Sequence, residues 1–197
     1  MSLAPARLSY GKIGEIANQF LADFHPVLTL PVPIEEIAEA KLGLTISQEM
    51  NLKKDYDVDG FLTSDLTTIF IDFDLYMKHE NRTRLTISHE IGHLIIHGKL
   101  FQELNINSIK DLNNIIEQVT DEDYRWLEYQ AYSFAGQVLV PKQLLIKELQ
   151  NRLGKIPSAE TPEIILPILQ DLLDVFQVSG EVMLRRLQKE GIVKVNN

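Results

Sequence analysis

Apolar residues recur at helical spacing over residues 10–24, where Ile13, Ile16, Ala17, Phe20, Leu21 and Phe24 share one face, so the first element is an amphipathic helix. Pro31 and Pro33 then interrupt the pattern. Ile34, Ile37, Ala38 and Leu42 repeat helically again, and Gly43 is placed to end that helix. The period next shortens towards two. Segments 44–47, 60–64 and 67–73 read as strands, the last alternating Ile69, Ile71 and Phe73. Only Asp65 and Leu66 separate the latter two, which predicts an antiparallel pair or a small meander. So small a sheet cannot bury itself, and helices must cover one of its faces.

The rest of the chain reads as helices. Residues 82–97 are strongly helical in pattern, with Gly98 as a natural stop. Residues 99–120 are polar with one short helix, and Thr120-Asp121-Glu122-Asp123 starts a long helix over 121–139. Pro141 breaks that helix and opens the next, over 141–153, and helices over 162–176 and 179–189 follow. This succession predicts an α+β fold, mainly helical, with a small antiparallel sheet of about three strands. Residues 1–140 form the main unit and 141–197 a helical extension packed on it, the two making one compact body. No internal repeat or low-complexity tract interrupts this order.

Composition narrows the chemistry. With 45% hydrophobic and 24% charged residues in 197, the chain is neither disordered nor fibrous. It contains no cysteine, so a disulfide scaffold or thiolate metal site is excluded and any metal must use His, Asp and Glu. There is no apolar run of membrane-spanning length and no basic-then-apolar N-terminus, so the chain reads as cytoplasmic, away from membranes. The net charge of −9 is concentrated in residues 1–140, which hold 11 Lys/Arg against 21 Asp/Glu, whereas residues 141–197 hold 8 against 7. Such an acidic main unit lacks the phosphate-neutralising surface that direct nucleic-acid binding requires. It suits a basic protein partner, or a solvated surface that serves solubility.

The residues that stand out are His89-Glu90-Ile91-Gly92-His93. Histidines four apart on a helix lie on one face and can reach one ion, and Glu90 projects beside them, where it can take a proton from water. Shuffling this composition would produce roughly 0.01 such matches, so chance is a poor explanation. Arg82, Thr86, His89, Glu90, His93 and His97 wind onto one side, with Ile91 and Ile95 opposite. Ser88 and Gly92, both small, would let another element approach the helix backbone. A catalytic zinc site needs a third protein ligand. His97 is eight residues from His89, about 12 Å along a straight helix, too far to join both. Its expected place is behind the ligands. Glu128 is the better candidate, because Ala131, Tyr132 and Ala135 share its face and two of them are small; Glu122 and Asp123 compete from the start of the same helix.

The run Arg84 to His97, the run Glu128-Tyr129-Gln130-Ala131-Tyr132-Ser133-Phe134-Ala135 and the Leu139-Val140-Pro141 that follows resemble the ImmA/IrrE family of metallopeptidases. The resemblance extends from about Tyr10, through Asp59-Gly60-Phe61, to Arg186-Leu187. It implies a zincin-like domain in which His89, His93 and Glu128 hold Zn2+, or another divalent ion such as Mn2+, and Glu90 is the general base. Members of that family commonly cleave a helix-turn-helix repressor encoded nearby, which implies a regulatory endopeptidase acting on mobile-element or stress genes. A non-enzymatic alternative is a metal-bearing, antitoxin-like or sensor module that binds a regulator without cutting it. Where the family usually has Asn or Asp, this chain has Tyr132, so that a supporting hydrogen bond is lost, or the phenol replaces it, donates to the transition state, or packs at the cleft wall. His97 is a second candidate donor. Segment 67–73 is the expected substrate-binding strand edge. Val178-Ser179 at an N-cap, with Arg185, Arg186 and Lys189 beyond, loosely resembles a helix-turn-helix.

Overall fold

The computed structural model of the protein describes residues 5–155 and 162–193. Helix α1 (Tyr10–Phe24) starts where Ser9 accepts from the Lys12 amide, and it buries Ile13, Ala17, Phe20 and Leu21. Helix α2 (Ile34–Glu36) continues in the wider π geometry over Ile37–Lys41 and stops at Gly43, whose φ of +69° lies in the left-handed region. The strands are β1 (Thr45–Glu49), β2 (Gly60–Leu62) and β3 (Thr68–Asp72). Between β1 and β2 lies α3 (Leu52–Tyr56), and β3 runs directly into α4 (Phe73–Lys78). Neither short helix carries enough apolar repeat to be read in advance. Both depend on Asp72, which is 4% exposed and accepts from the Leu75 amide with one oxygen and from the Lys53 amide with the other.

The sheet order is β1-β3-β2, with β3 parallel to β1 and antiparallel to β2. The sheet is therefore mixed, not purely antiparallel. The tight connection through Asp65 and Leu66 forms as expected, but the excursion through α3 reverses the chain between β1 and β2, so that β3 enters between them. A second expectation fails for the same reason. Segment 67–73 is interior, bonded on both sides, and cannot present a free edge; the edge strand next to the helices is β2.

Helix α5 (Glu80–Gln102) crosses the centre, and its residues from Ile87 to His93 are all buried. It runs straight through Gly98, because one interior glycine costs only about 1 kcal/mol and Phe101, 7% exposed, recovers more by packing. Arg84, 6% exposed, ties this helix to both flanks of the fold by donating to the carbonyls of Val32 and Gln177. Helix α6 (Ile109–Ile116) follows, then α7 (Asp121–Leu139), whose start is closed by reciprocal bonds between Thr120 and Asp123.

Helices α8 (Lys142–Leu153), α9 (Pro162–Phe176) and α10 (Gly180–Lys189) complete the described chain. Arg186 of α10 is 3% exposed, and each of its three guanidinium nitrogens donates to the Val140 carbonyl, Glu190 or the Tyr10 hydroxyl. It holds the helices together and has nothing left for a phosphate. Among the described residues no helix is long and apolar enough to cross a membrane.

Candidate metal centre

The site begins with a glycine. A β-carbon added to Gly92 would stand 3.1 Å from both the Cα and the carbonyl oxygen of Ala131 and 3.2 Å from Cδ1 of Phe134, so only glycine lets α5 and α7 approach this closely. Ala131 keeps the α7 side equally bare, and it is fully buried. One turn earlier on α7, Glu128 is thereby carried over the two histidines of α5.

His89 Nε2 and His93 Nε2 lie 3.0 Å apart, and each is 3.4 Å from a different oxygen of Glu128. An ion about 2 Å from each donor in a tetrahedral arrangement requires donors roughly 3.3 Å from one another, so the observed spacings fit a zinc-sized ion. The donor set of two imidazoles and a carboxylate is also the one a cysteine-free chain can offer. These three residues can hold a metal ion. Burial disfavours a charged His89, but Glu128 outweighs it and raises the ring's pKa. Burial likewise works to raise Glu128, yet the His89 and His93 rings hold its carboxyl well below the usual carboxylate range. A divalent cation between them exploits the same electrostatics.

His97 stands behind the ligands, with its Nδ1 3.1 Å from Nδ1 of His93. Burial, reinforced by the His93 ring, pulls His97 down to about 3, so it is neutral at physiological pH and free to accept a proton bond from His93 Nδ1. That arrangement leaves the lone pair of His93 Nε2 facing Glu128 and His89. It also leaves the Nε2 of His97 buried without a partner, as are His89 Nδ1 and Ser88 Oγ. Tyr132, 43% exposed, rests its ring on His89 with centroids 4.2 Å apart. Burial, with the Glu128 charge nearby, pushes its phenol up to about 12, so it keeps its proton at neutral pH. Glu90 is 4% exposed; burial raises its pKa against the pull of His89 and His93, while the Leu62 backbone amide on edge strand β2 favours the carboxylate. Glu122 and Asp123, the competing third ligands, are not part of this group.

His89, Glu90, His93, Glu128 and Tyr132 open onto a cavity of about 250 Å³. Part of its lining is ionic: Arg82 grips Asp59 with two bonds of 2.7 Å, and Lys53 lies 2.7 Å from Asp57 and 3.2 Å from Asp59. Another part is apolar and includes Leu112, Ile115, Ile116 and Val119, from a stretch that reads as polar in sequence. The signal was there, because Ile109, Leu112 and Ile116 fall at helical spacing, but two charges and two amides between them masked it.

No curated protein matches the chain. Among solved structures, a Mycobacterium tuberculosis transcriptional regulator shares the fold, with a TM-score of 0.58 at 13% identity over 90% of this chain and 46% of that one. The chain thus spans about half the length of that relative. A family model described as the IrrE N-terminal-like domain, Peptidase_M78, matches residues 41–188, which take in α5, α7 and all the residues of the metal centre, and the chain belongs to that family.

Proposed function

We propose that the protein is a zinc-dependent endopeptidase of the cytoplasm that cuts a peptide bond in a regulatory protein, specifically a helix-turn-helix repressor. The observation that carries the catalytic part is the convergence of His89, His93 and Glu128 at tetrahedral spacing with a buried carboxylate, Glu90, beside them. The regulatory part rests on the family resemblance, with the likeness to a transcriptional regulator pointing the same way.

His89, His93 and Glu128 would hold the ion, which when bound supplies a Lewis acid for the scissile carbonyl and makes a water molecule more acidic. Glu90 takes the proton from the attacking water and passes it to the leaving nitrogen; burial raises its pKa, which makes it the stronger base. His97 fixes the orientation of the His93 ring from behind. Tyr132, still protonated at neutral pH and lying over His89, is the donor best placed to stabilise charge developing on the carbonyl oxygen. The substrate backbone extends along β2, the strand edge that borders the cavity.

The test is incubation of the zinc-loaded protein, and of its Glu90→Gln variant, with a repressor encoded beside it. Wild type should shorten the repressor catalytically, and the variant should lose at least 1000-fold in rate while binding the same amount of zinc by elemental analysis. A stoichiometric complex with no cleavage would sink the enzymatic reading in favour of a binding module.

A further inference from the structure

Helix α6 has a feature that distinguishes it from the other long helices of the fold: none of its residues is buried, although one of its faces is entirely apolar. Leu112, Ile115 and Ile116 on that face, and Val119 just beyond it, turn towards the cavity over His89 and His93. Lys110, Asn113, Asn114 and Glu117 occupy the opposite side. Phe101, Leu104 and Ile106 extend the same wall, and Ile106 is anchored to Ser64 through bonds at both its amide and its carbonyl. The wall starts at the reacting centre itself, because the Phe101 ring packs on that of His93 with centroids 4.9 Å apart and planes 32° from parallel.

Apolar side chains facing an open cavity forgo the stabilisation they would gain from an apolar partner. A cavity of about 150 Å³ is known to take a benzene ring. The 250 Å³ here is therefore room for one large side chain and the peptide group that bears it, and too little for a cofactor. The ionic part of the lining, built on Asp57, Asp59, Lys53 and Arg82, already satisfies its own charges.

We propose that the wall formed by Phe101, Leu104, Ile106, Leu112 and Ile115 is a side-chain subsite that selects a large aliphatic or aromatic residue next to the scissile bond. The inference rests on the peptidase reading above. The occupant is the substrate's own side chain, since metal ligands and apolar wall line one continuous cavity.

Two peptide hydroxamates that differ only in the side chain beside the chelating group, isobutyl in one and methyl in the other, test it by calorimetric titration of the zinc-loaded full chain. The isobutyl probe should bind about tenfold to sixtyfold more tightly, given three more buried carbons at about a factor of four each. Leu112→Ser with Ile115→Ser should bring the two probes within about threefold of each other while the variant still carries one equivalent of zinc by elemental analysis, which reports an intact metal site. Ile115→Trp fills the subsite without emptying the wall and should reverse the preference. Equal binding of the two probes to wild type, or isobutyl preference that survives these substitutions, overturns the subsite. Failure of both probes to bind a chain that carries zinc overturns the subsite together with the peptidase reading, whereas equal binding leaves that reading intact.

Discussion

Two clusters of buried ionisable side chains meet helix α7, one around Glu128 in its middle and one just past its C-terminus, and they are finished differently. Past the end of the helix, each guanidinium nitrogen of Arg186 donates to Val140, Glu190 or Tyr10, and the second oxygen of Glu190 meets Lys142 at 2.9 Å. That cluster satisfies itself. Around Glu128, by contrast, His89 Nδ1, His97 Nε2 and Ser88 Oγ are buried without partners, and two ring nitrogens face each other at 3.0 Å. A chain that can satisfy a buried cluster as thoroughly as at Arg186 has not done so at His89. The Nε2 atoms of His89 and His93, turned towards each other and the Glu128 oxygens, are what a site keeps when its remaining partner is a ligand rather than the protein.

The contrast predicts that damage to one cluster appears as lost binding and damage to the other as lost stability. Glu128→Ala should weaken zinc affinity by more than 100-fold, beyond the roughly 10–100-fold usual for residues that merely support a ligand, with little change in the stability of the metal-free chain. Competition against a chromophoric chelator measures the first, and urea denaturation in a chelating buffer the second. Arg186→Met should do the reverse. It leaves Glu190, whose side chain is 7% exposed, with only Lys142 and the Tyr10 hydroxyl as partners, and should cost about 3 kcal/mol in denaturation while zinc affinity stays within twofold.

Gly92→Ala lies between the two in effect. Alanine is favoured over glycine in a helix by about 1 kcal/mol, but here its methyl group meets the Ala131 backbone, which cannot swing aside. A net loss of about 1–2 kcal/mol and a roughly tenfold drop in zinc affinity should follow as α7 is pushed off α5. Gly98→Ala on the same helix meets only Leu66 Cδ1 at 3.4 Å and should instead stabilise the protein slightly. If both alanines behave alike, close approach at Gly92 is not what sets the ligand spacing.

The smallest effect concerns pH. Burial alone would raise Glu190, but Lys142 and Arg186 hold its carboxyl below its ordinary value of 4.5. A carboxyl depressed on folding adds stability above its unfolded pKa and loses it as pH falls through the folded one. The urea midpoint of the wild type should therefore fall below about pH 4.5, and Glu190→Gln should flatten that part of the profile.

The chemistry was easier to read than the architecture that presents it. His89, Glu90 and His93 are neighbours on one helix, so local spacing is enough, and the small face beside Glu128 flagged the second helix. Glu128 itself remained one of three acidic candidates until the α5 and α7 packing was known. The strand order escaped notice because pairing partners far apart in sequence leave no trace in a period of two. Arg186 read as one of three basic residues of a loose helix-turn-helix pattern, because a lone arginine carries no mark of burial; its acceptors are the carbonyl of Val140 and the hydroxyl of Tyr10, more than 40 and 170 residues away. Helix α5 outran Gly98 because tertiary packing outweighed local preference.

Arg84 has a consequence for anyone who would shorten this protein. The helix that carries the histidines is moored, through one guanidinium, to a carbonyl before α2 and to another after α9. A version cut before Gln177 would keep every atom of the metal centre yet leave that cation in an apolar interior with half its moorings gone. The metal centre occupies two helices, but the contacts that moor them run from the carbonyl of Val32 to that of Gln177.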